Sequence, residues 1–398
     1  MILWALWALL AALGLLGTFG ALAAASTLRR AFRSGLAAQP APPGPLLPLS
    51  MLVPIKGADA HTEAHLEALV TSALDGEVEY LFAMEAEDDP AYAVCQRVIA
   101  RHPERAARVV ITGPAGGRMG KQHNLAVALH EAHYEAIGSM DADVLVEPDT
   151  LAVALGALNA PDAGVVYFLP CYQGPGPVGG ALVALYTNYY FAPNMGALAR
   201  IGGQPFIIGS LWLTTKAALA RIGGLEQFSA TVSDDAAIGK AVAKAGRTNT
   251  LLPRAVRIPY EPVGLWGGAR HLLKWLAMLR AEGLGTYLLI LFTWHPVLWG
   301  VLAVLGATMF GSVPHIFLFD YAIFAGLTVV SRVGSAFLLN RAVYHQRGLA
   351  LPLLLIPYEL VAVPVLFAIG LFRHSIVWRG RRYRLGRHGV ILASADAS

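Results

Sequence analysis

The residues best suited to chemistry are two carboxylates one position apart, Asp141 and Asp143, in the run Met140-Asp141-Ala142-Asp143-Val144. They follow an apolar stretch, Tyr134 to Met140, that predicts a strand. At the C-terminal end of a strand such a pair can divide two tasks, one acid holding a divalent cation and the other orienting a sugar-nucleotide. Mg2+ and Mn2+ are hard cations that take oxygen ligands, often one or two carboxylates together with substrate phosphates. Asp-x-Asp triplets also occur in plain surface turns, so the surrounding elements decide the reading.

Between Leu49 and Phe168 short apolar runs alternate with helical patterns. Ser50 to Ile55, Val78 to Met84, Val109 to Thr112, Ala136 to Met140 and Val165 to Leu169 read as buried strands. Glu63 to Leu74, Pro90 to His102, Lys121 to His133 and Pro148 to Leu158 read as helices. This alternation predicts an α/β domain with a mainly parallel sheet covered on both faces. In such sheets ligands sit beyond the C-terminal ends of the strands. Lys56, the acidic cluster Glu85 to Asp89, and Asp141 with Asp143 all fall on that edge.

Three further blocks carry candidate chemistry. In Glu85-Ala86-Glu87-Asp88-Asp89-Pro90, an aspartate before Pro90 fits a helix N-cap with proline at the first position. Glu85, directly after its strand, is better placed for a nucleobase or ribose. Gly113-Pro114-Ala115-Gly116-Gly117-Arg118-Met119-Gly120-Lys121 is a Gly-rich loop ahead of a helix. Glycines admit an anion close to backbone N–H groups, and a helix N-terminus favours negative charge. Arg118 or Lys121 is the candidate contact to a donor diphosphate; Gln122 after Lys121 excludes a Walker loop. Ser233-Asp234-Asp235 opens another helical pattern. Helix capping and the dipole explain Asp234, while Asp235 is the candidate general base.

The chain as a whole is apolar. Of its 398 residues 56% are hydrophobic and 14% charged, and mean hydropathy is +0.54; soluble domains carry roughly 25% charged residues. Met1 to Ser26 has no charge and is long enough to span a bilayer. It lacks the basic n-region of a cleavable signal. Arg29, Arg30 and Arg33 follow it, which by the positive-inside tendency puts the next domain in the cytoplasm. Thr286 to Phe310 and Ile316 to Ser331 read as a hairpin of two spans. Leu349 to Phe372, broken by Pro352, Pro357 and Pro364 and carrying Glu359, either spans, which would put the basic tail outside, or is re-entrant or interfacial, which keeps the tail on the cytoplasmic side as the positive-inside tendency favours. The expected organisation is a first transmembrane helix (1–28), a Pro/Ala-rich linker (29–48), a cytoplasmic domain (49–285), membrane segments (286–372) and a basic tail (373–398). Arg270-His271-Leu272-Leu273-Lys274-Trp275 precedes the hairpin. It fits an interfacial anchor, or a site with Trp275 at the acceptor or sugar and His271 or Lys274 near a leaving diphosphate. Tyr186, Tyr189, Tyr190 and Phe191 fit either an interfacial acceptor surface or core packing.

Two cysteines far apart, Cys95 and Cys171, imply no disulfide framework or zinc site. The net charge of +4 comes without a basic stripe interleaved with aromatics, so nucleic acid is not an expected partner. A cationic face toward anionic lipid is simpler.

These blocks, in this order, resemble a membrane-bound family-2 glycosyltransferase, nearest to the ceramide glucosyltransferase branch and the related hopanoid glycosyltransferases. Met140-Asp141-Ala142-Asp143, followed by Glu147-Pro148-Asp149-Thr150-Leu151, matches the second acidic block. Ser233-Asp234-Asp235 matches the third. His271-Leu272-Leu273-Lys274-Trp275 matches the fourth in position, with His and Lys where the family has Gln or Arg and then Arg. Trp378-Arg379-Gly380-Arg381-Arg382-Tyr383-Arg384-Leu385 resembles a tail motif of the same branch. The first block departs: the family's aspartate falls on Ala86, leaving Glu85 or Glu87 to replace it.

The resemblance implies a nucleotide-diphospho-sugar transferase fold (GT-A-like, Rossmann-like) with transmembrane helices at both ends. It implies inverting transfer of a hexose, glucose favoured, from a UDP-sugar to a hydroxyl of a membrane lipid. A ceramide-type acceptor is favoured, with a hopanoid or diacylglycerol as the alternative. Asp143 would hold Mg2+ or Mn2+, Asp141 would orient it, and Asp235, with Asp234 beside it, would supply the base. A processive polysaccharide synthase shares the acidic blocks but would need more spans and a Gln-x-x-Arg-Trp site. A non-catalytic lipid or nucleotide sensor would not need Asp141, Asp143, Asp235 and Trp275 together.

Overall fold

The computed structural model describes residues 2–37, 46–74, 76–174, 176–202, 205–260, 262–309 and 315–396. The expected linker falls largely on 38–45, outside the described residues. The chain forms two compact units, each discontinuous. One comprises Ser34–Pro175, Leu198–Pro259 and Ser375–Ser398, and the other Met1–Arg33, Gly176–Ala197 and Tyr260–His374.

The first unit is built on a sheet of seven strands: β1 (Leu49–Pro54), β2 (Val78–Met84), β3 (Ala106–Ile111), β4 (Ala136–Met140), β5 (Ala163–Gln173), β6 (Leu211–Thr215) and β7 (Thr248–Pro259). Their order is β3-β2-β1-β4-β6-β5-β7. β3, β2, β1 and β4 are parallel, β6 runs antiparallel to both its neighbours, and β7 is parallel to β5. β1, β2 and β4 are buried almost throughout, as expected of strands covered on both faces. The chain runs outward from β1 to β3 and then returns to place β4 on the other side of β1. Such a reversal leaves a crevice at the C-terminal ends of the two central strands. Lys56 follows β1 and Asp141 follows β4, so sequence and topology meet at that point. The register Met140↔Leu211 brings the residues preceding β6 beside Asp141.

The tail forms a separate antiparallel sheet of β8 (Ser375–Trp378), β9 (Arg381–Leu385) and β10 (Ile391–Asp396). Arg379 and Gly380 join β8 to β9 with φ of 47° and 79°, the left-handed pair that a tight two-residue hairpin requires. β9 then alternates: Tyr383 and Leu385 are buried, Arg382 and Arg384 exposed. An isolated bridge pairs Val390 with Thr231, and the Val232 N–H donates to the Gly389 carbonyl at 3.0 Å. The tail is thus an integral part of the unit that contains the large sheet.

The second unit is helical. Ala5–Ser34, Ala322–Ala342 and Ala350–Leu371 are each long and apolar enough to cross a bilayer. Leu284–Thr293 and Pro296–Thr308 would reach that length together but are bent by 69°. A break at membrane depth must satisfy the backbone groups it frees. Glu359 does this, accepting from the N–H groups of Val297 and Leu298 at 2.7 and 3.2 Å. Its other oxygen accepts from Arg332 Nε at 3.0 Å and the Tyr190 hydroxyl at 2.7 Å. Small residues set the close approaches elsewhere. A Cβ on Gly17 would come within 3.2 Å of Pro296, and one on Gly268 within 2.3 Å of the Gly179 carbonyl, so the helices Val178–Tyr186 and Leu265–Glu282 cross backbone to backbone.

A similar constraint governs the helix that carries Asp234 and Asp235. A Cβ on Gly239 would lie 2.6 Å from the backbone of Phe206 and Ile207. Gly239→Ala should therefore lower the melting temperature of the purified protein, by an overpacking cost of about 1–3 kcal/mol. Thermal unfolding followed by circular dichroism checks it, and an unchanged melting point would show that the helix shifts freely.

Candidate active site

Lys121 is the centre of the crevice. The preceding loop turns on three glycines with positive φ: Gly113, Gly116 and Gly117. It is pinned where the Met119 N–H donates to the Ser229 carbonyl at 2.8 Å. The helix Gly120–His130 begins there and sends the Lys121 ammonium to within 2.6 Å of Asp141 Oδ1 and 3.3 Å of the Gly209 carbonyl. Burial works against that charge, but the carboxylates of Asp141, Asp234 and Asp235 outweigh it and raise the Lys121 pKa.

The other wall is the first turn of Asp234–Lys244. Asp234 is buried and accepts from the Gln122 amide. Asp235 is half-buried and accepts from the Gly209 N–H at 3.1 Å and the Ala236 N–H at 2.8 Å. A Cβ on Gly209 would sit 3.2 Å from Asp235 Cβ and 3.4 Å from Lys121 Nζ, so this glycine is wedged between base candidate and cation. Burial, and after it the Asp234 carboxylate, pushes the Asp235 carboxyl up to about 7. Asp234 is also raised, chiefly by burial. Ser233 makes no side-chain cap.

The loop carrying Asp141 and Asp143 is held at both ends. The Asp141 N–H donates to the Ser210 carbonyl at 3.0 Å, and the Leu145 N–H to the Arg257 carbonyl at 2.8 Å. Between the two acids, the Ala142 carbonyl lies 3.2 Å from His65 Nδ1. His65 is buried, and burial lowers its pKa; the neutral ring with its proton on Nδ1 fits that carbonyl partner. Further on, Arg257 pairs with Glu147 at 2.5 Å and Arg254 with Asp149. Asp143 is half-buried. Among the described residues no group of three or more His, Cys, Asp or Glu gathers as a metal cage. Two carboxylates are nonetheless the donor set that Mg2+ or Mn2+ takes when substrate phosphates and water complete its shell.

The acid after β2 forms a second cluster. Glu85 accepts from both terminal nitrogens of Arg381 at 3.1 and 3.0 Å and from Lys56 at 3.4 Å. Gly120 adjoins it, since a Cβ there would meet Glu85 Oε1 at 3.1 Å. Asp89 caps Pro90–Arg101, accepting from the Ala91 N–H at 2.9 Å, and also accepts from the Gly57 N–H at 2.8 Å. Glu87 and Arg118 are exposed and belong to neither cluster. His271, Lys274 and Trp275 lie on the helix Leu265–Glu282 of the other unit. There the rings of His271 and Trp275 meet edge to face at 4.4 Å, and Trp275 lies 5.9 Å from Tyr186.

Lys121, Asp141, Asp234 and Asp235 thus come together, as do Lys56 and Glu85. Sequence reasoning missed His65, Gln122, Gly209 and Arg381 as parts of the site. The tail motif around Arg381 was the one signal that pointed toward the last of these.

The chain belongs to glycosyl transferase family 21, whose family model matches residues 9–391. It is 26% identical over 203 residues to ceramide glucosyltransferase 1 of Caenorhabditis elegans, an alignment covering 50% of this chain and 42% of that protein. The chain thus spans less than half the length of that relative. Among solved structures, a mannosyltransferase from Pyrobaculum calidifontis in complex with GDP-Man and Mn2+ superposes with a TM-score of 0.50. Its identity is 20%, with 83% of this chain and 98% of that chain covered. The likeness is one of fold: a mixed α/β arrangement with a largely parallel sheet that resembles the GT-A fold.

The raised Asp235 carboxyl has a consequence for stability. Folding keeps this group protonated to higher pH than the unfolded chain does. Its contribution is therefore fully present below the ordinary aspartate range and is lost as pH rises through about 7. Asp235→Asn, neutral at every pH, should match the wild type in melting temperature near pH 4 and exceed it by a growing margin from about pH 5 to pH 8. Melting curves in metal-free buffer test this; a pH-independent difference would remove Asp235 as the titrating group.

Proposed function

We propose that the protein transfers a hexose, glucose favoured, from a UDP-sugar to a hydroxyl of a membrane lipid of ceramide type, with inversion at the anomeric carbon. The observation that carries this reading is the shared partner set of Lys121 and Asp235. The ammonium that binds Asp141 also binds the Gly209 carbonyl, while Asp235 binds the N–H of the same glycine. A diphosphate beside Asp141 and a base at Asp235 would therefore face one small volume. The likeness to ceramide glucosyltransferase over half the chain and the apolar helices support a lipid acceptor.

On this reading Asp143 and Asp141 would hold Mg2+ or Mn2+, and the bound cation would neutralise charge on the departing diphosphate. Lys121, already cationic and anchored, donates to a phosphate oxygen. The ionised Asp235 takes the proton of the acceptor hydroxyl as that oxygen attacks the anomeric carbon and the bond to the diphosphate breaks. A carboxylate with its pKa near 7 is a stronger base than an ordinary aspartate and remains substantially ionised at neutral pH. Glu85 accepts from the nucleoside. The match of His271, Lys274 and Trp275 to the family's fourth motif supports a role for His271 or Lys274 near the leaving diphosphate and for Trp275 at the acceptor or sugar. Lipid mass spectrometry of a host without glycolipids, with and without the gene, tests the reaction. New hexosyl-lipid should appear, vanish with a chelator in the purified assay, and fall by at least about 10²-fold in Asp235→Asn. Absence of any glycosylated lipid from the wild type would end this reading.

The fold also constrains the membrane topology. The chain leaves the large-sheet unit after Pro259 and re-enters it at Ser375. A folded unit lies on one side of a bilayer, so the intervening segments cross a net even number of times. Ala322–Ala342 and Ala350–Leu371 supply two crossings, and the pair bent by 69° then enters and leaves by one face. The positive charge after the first helix supports a cytoplasmic sheet unit and tail. Cys95 and Cys171 are buried and give a low background. A cysteine at exposed Arg384 should thus resist an impermeant maleimide in intact cells and react after permeabilisation. Labelling of intact cells would place the tail outside.

A further inference from the structure

We propose that the C-terminal sheet is the closing wall of the donor site, and that Arg381 positions Glu85 to read the nucleoside. This deepens the donor reading above and rests on it. The tail touches three of the loops to which that reading gives a task. Arg381 forks onto both oxygens of Glu85. Tyr383 lies beside the Gly120 backbone and Arg381. Ser394 Oγ lies 3.0 Å from where a Cβ on Gly117 would stand. Val390 pairs with Thr231, and Gly389 accepts from Val232, the residues leading into Asp234 and Asp235.

The chemistry of Glu85 explains why a guanidinium is needed. A carboxylate offers about four acceptor sites. The Arg381 fork takes one on each oxygen, and Lys56 takes a further one on Oε2 at 3.4 Å. Oε1 keeps capacity, and it is the oxygen beside Gly120, where the missing side chain leaves room for a ligand group. A ribose hydroxyl or an imide N–H of a base donates well to such an oxygen. A planar fork fixes the orientation of a carboxylate, whereas a flexible ammonium does not. This arrangement also accounts for the departure at Ala86: the acid sits one position earlier, on a longer side chain, and a residue of the tail steadies it.

The test uses the full-length protein in detergent with Mn2+, UDP as the calorimetric probe and GDP in parallel. In Arg381→Ala the Kd for UDP should rise at least about tenfold, the scale of a lost charge-assisted contact. Arg381→Lys should recover only part, and Arg384→Ala, on the exposed face of the same strand, should stay within about twofold. The donor KM should follow the Kd while kcat at saturation changes less than about threefold. The doubly reversed Glu85→Arg/Arg381→Glu protein separates positioning from scaffolding. It should regain the melting temperature lost in Arg381→Ala without regaining UDP affinity. Restored UDP affinity in that variant, or an unchanged Kd in Arg381→Ala, overturns the proposal while leaving the donor reading in place. A wild type that binds neither nucleotide overturns both.

Discussion

One ammonium governs the crevice. Asp141, Asp234 and Asp235 converge on a partly buried volume, and three carboxylates so placed would repel one another and resist ionisation. Lys121 relieves that repulsion from within, at 2.6 Å from Asp141. The rest of the large-sheet unit serves its placement. The glycines of the preceding loop let the chain turn, Ser229 fixes the loop from below, and the lack of a side chain at Gly209 lets the cation and Asp235 share one peptide. On the proposed reading a cation so placed would exchange partners: a divalent metal held by Asp141 and Asp143 would balance their charge, freeing the ammonium for a phosphate oxygen of the donor.

The legible part of the fold was the part ruled by period and edge. β1, β2 and β4 are continuous apolar runs because both faces are covered, and the acids that end them mark the crevice. β6 and β7 were not read, since β6 is a short antiparallel insertion between β4 and β5 and β7 carries exposed or half-buried positions along much of its length. The site was legible where residue type alone implies chemistry, as at Asp141, Asp143 and Asp235. It was not legible where a residue acts by place. Gly209 has no side chain to notice, His65 works on a backbone carbonyl, and Arg381 lies 296 positions from Glu85. Lys121 stood out as a phosphate ligand but not as the partner of Asp141, because sequence spacing says nothing about what a side chain binds before its substrate arrives.

Within the helical unit a different pair plays the organising role. Arg332 and Glu359 are fully buried, and burying ions is costly unless every hydrogen-bonding site is used. Here Glu359 meets Arg332, Tyr190 and two helix N–H groups, while Arg332 also donates to the Tyr189 carbonyl at 2.8 Å and stacks over the Tyr190 ring. Those contacts join 187–191, the bent helix pair and two apolar helices through side chains. The break beside His295 is thereby a held geometry with satisfied backbone, which is the condition for irregular chain at membrane depth.

Chain connectivity ties these two organising clusters together. The segment with Tyr189 and Tyr190 is an excursion between β5 and β6, and the helices with Arg332 and Glu359 lie between β7 and β8. The large-sheet unit is therefore closed only after the last apolar helix has been made, when β8 to β10 come back to bind Glu85, Gly120 and Thr231. Until then the Asp235 helix lacks the Thr231–Val390 bridge ahead of it, and Glu85 lacks its fork. On the proposed reading, the wall of the donor site is thus complete only after the apolar helices between β7 and β8 have been synthesised.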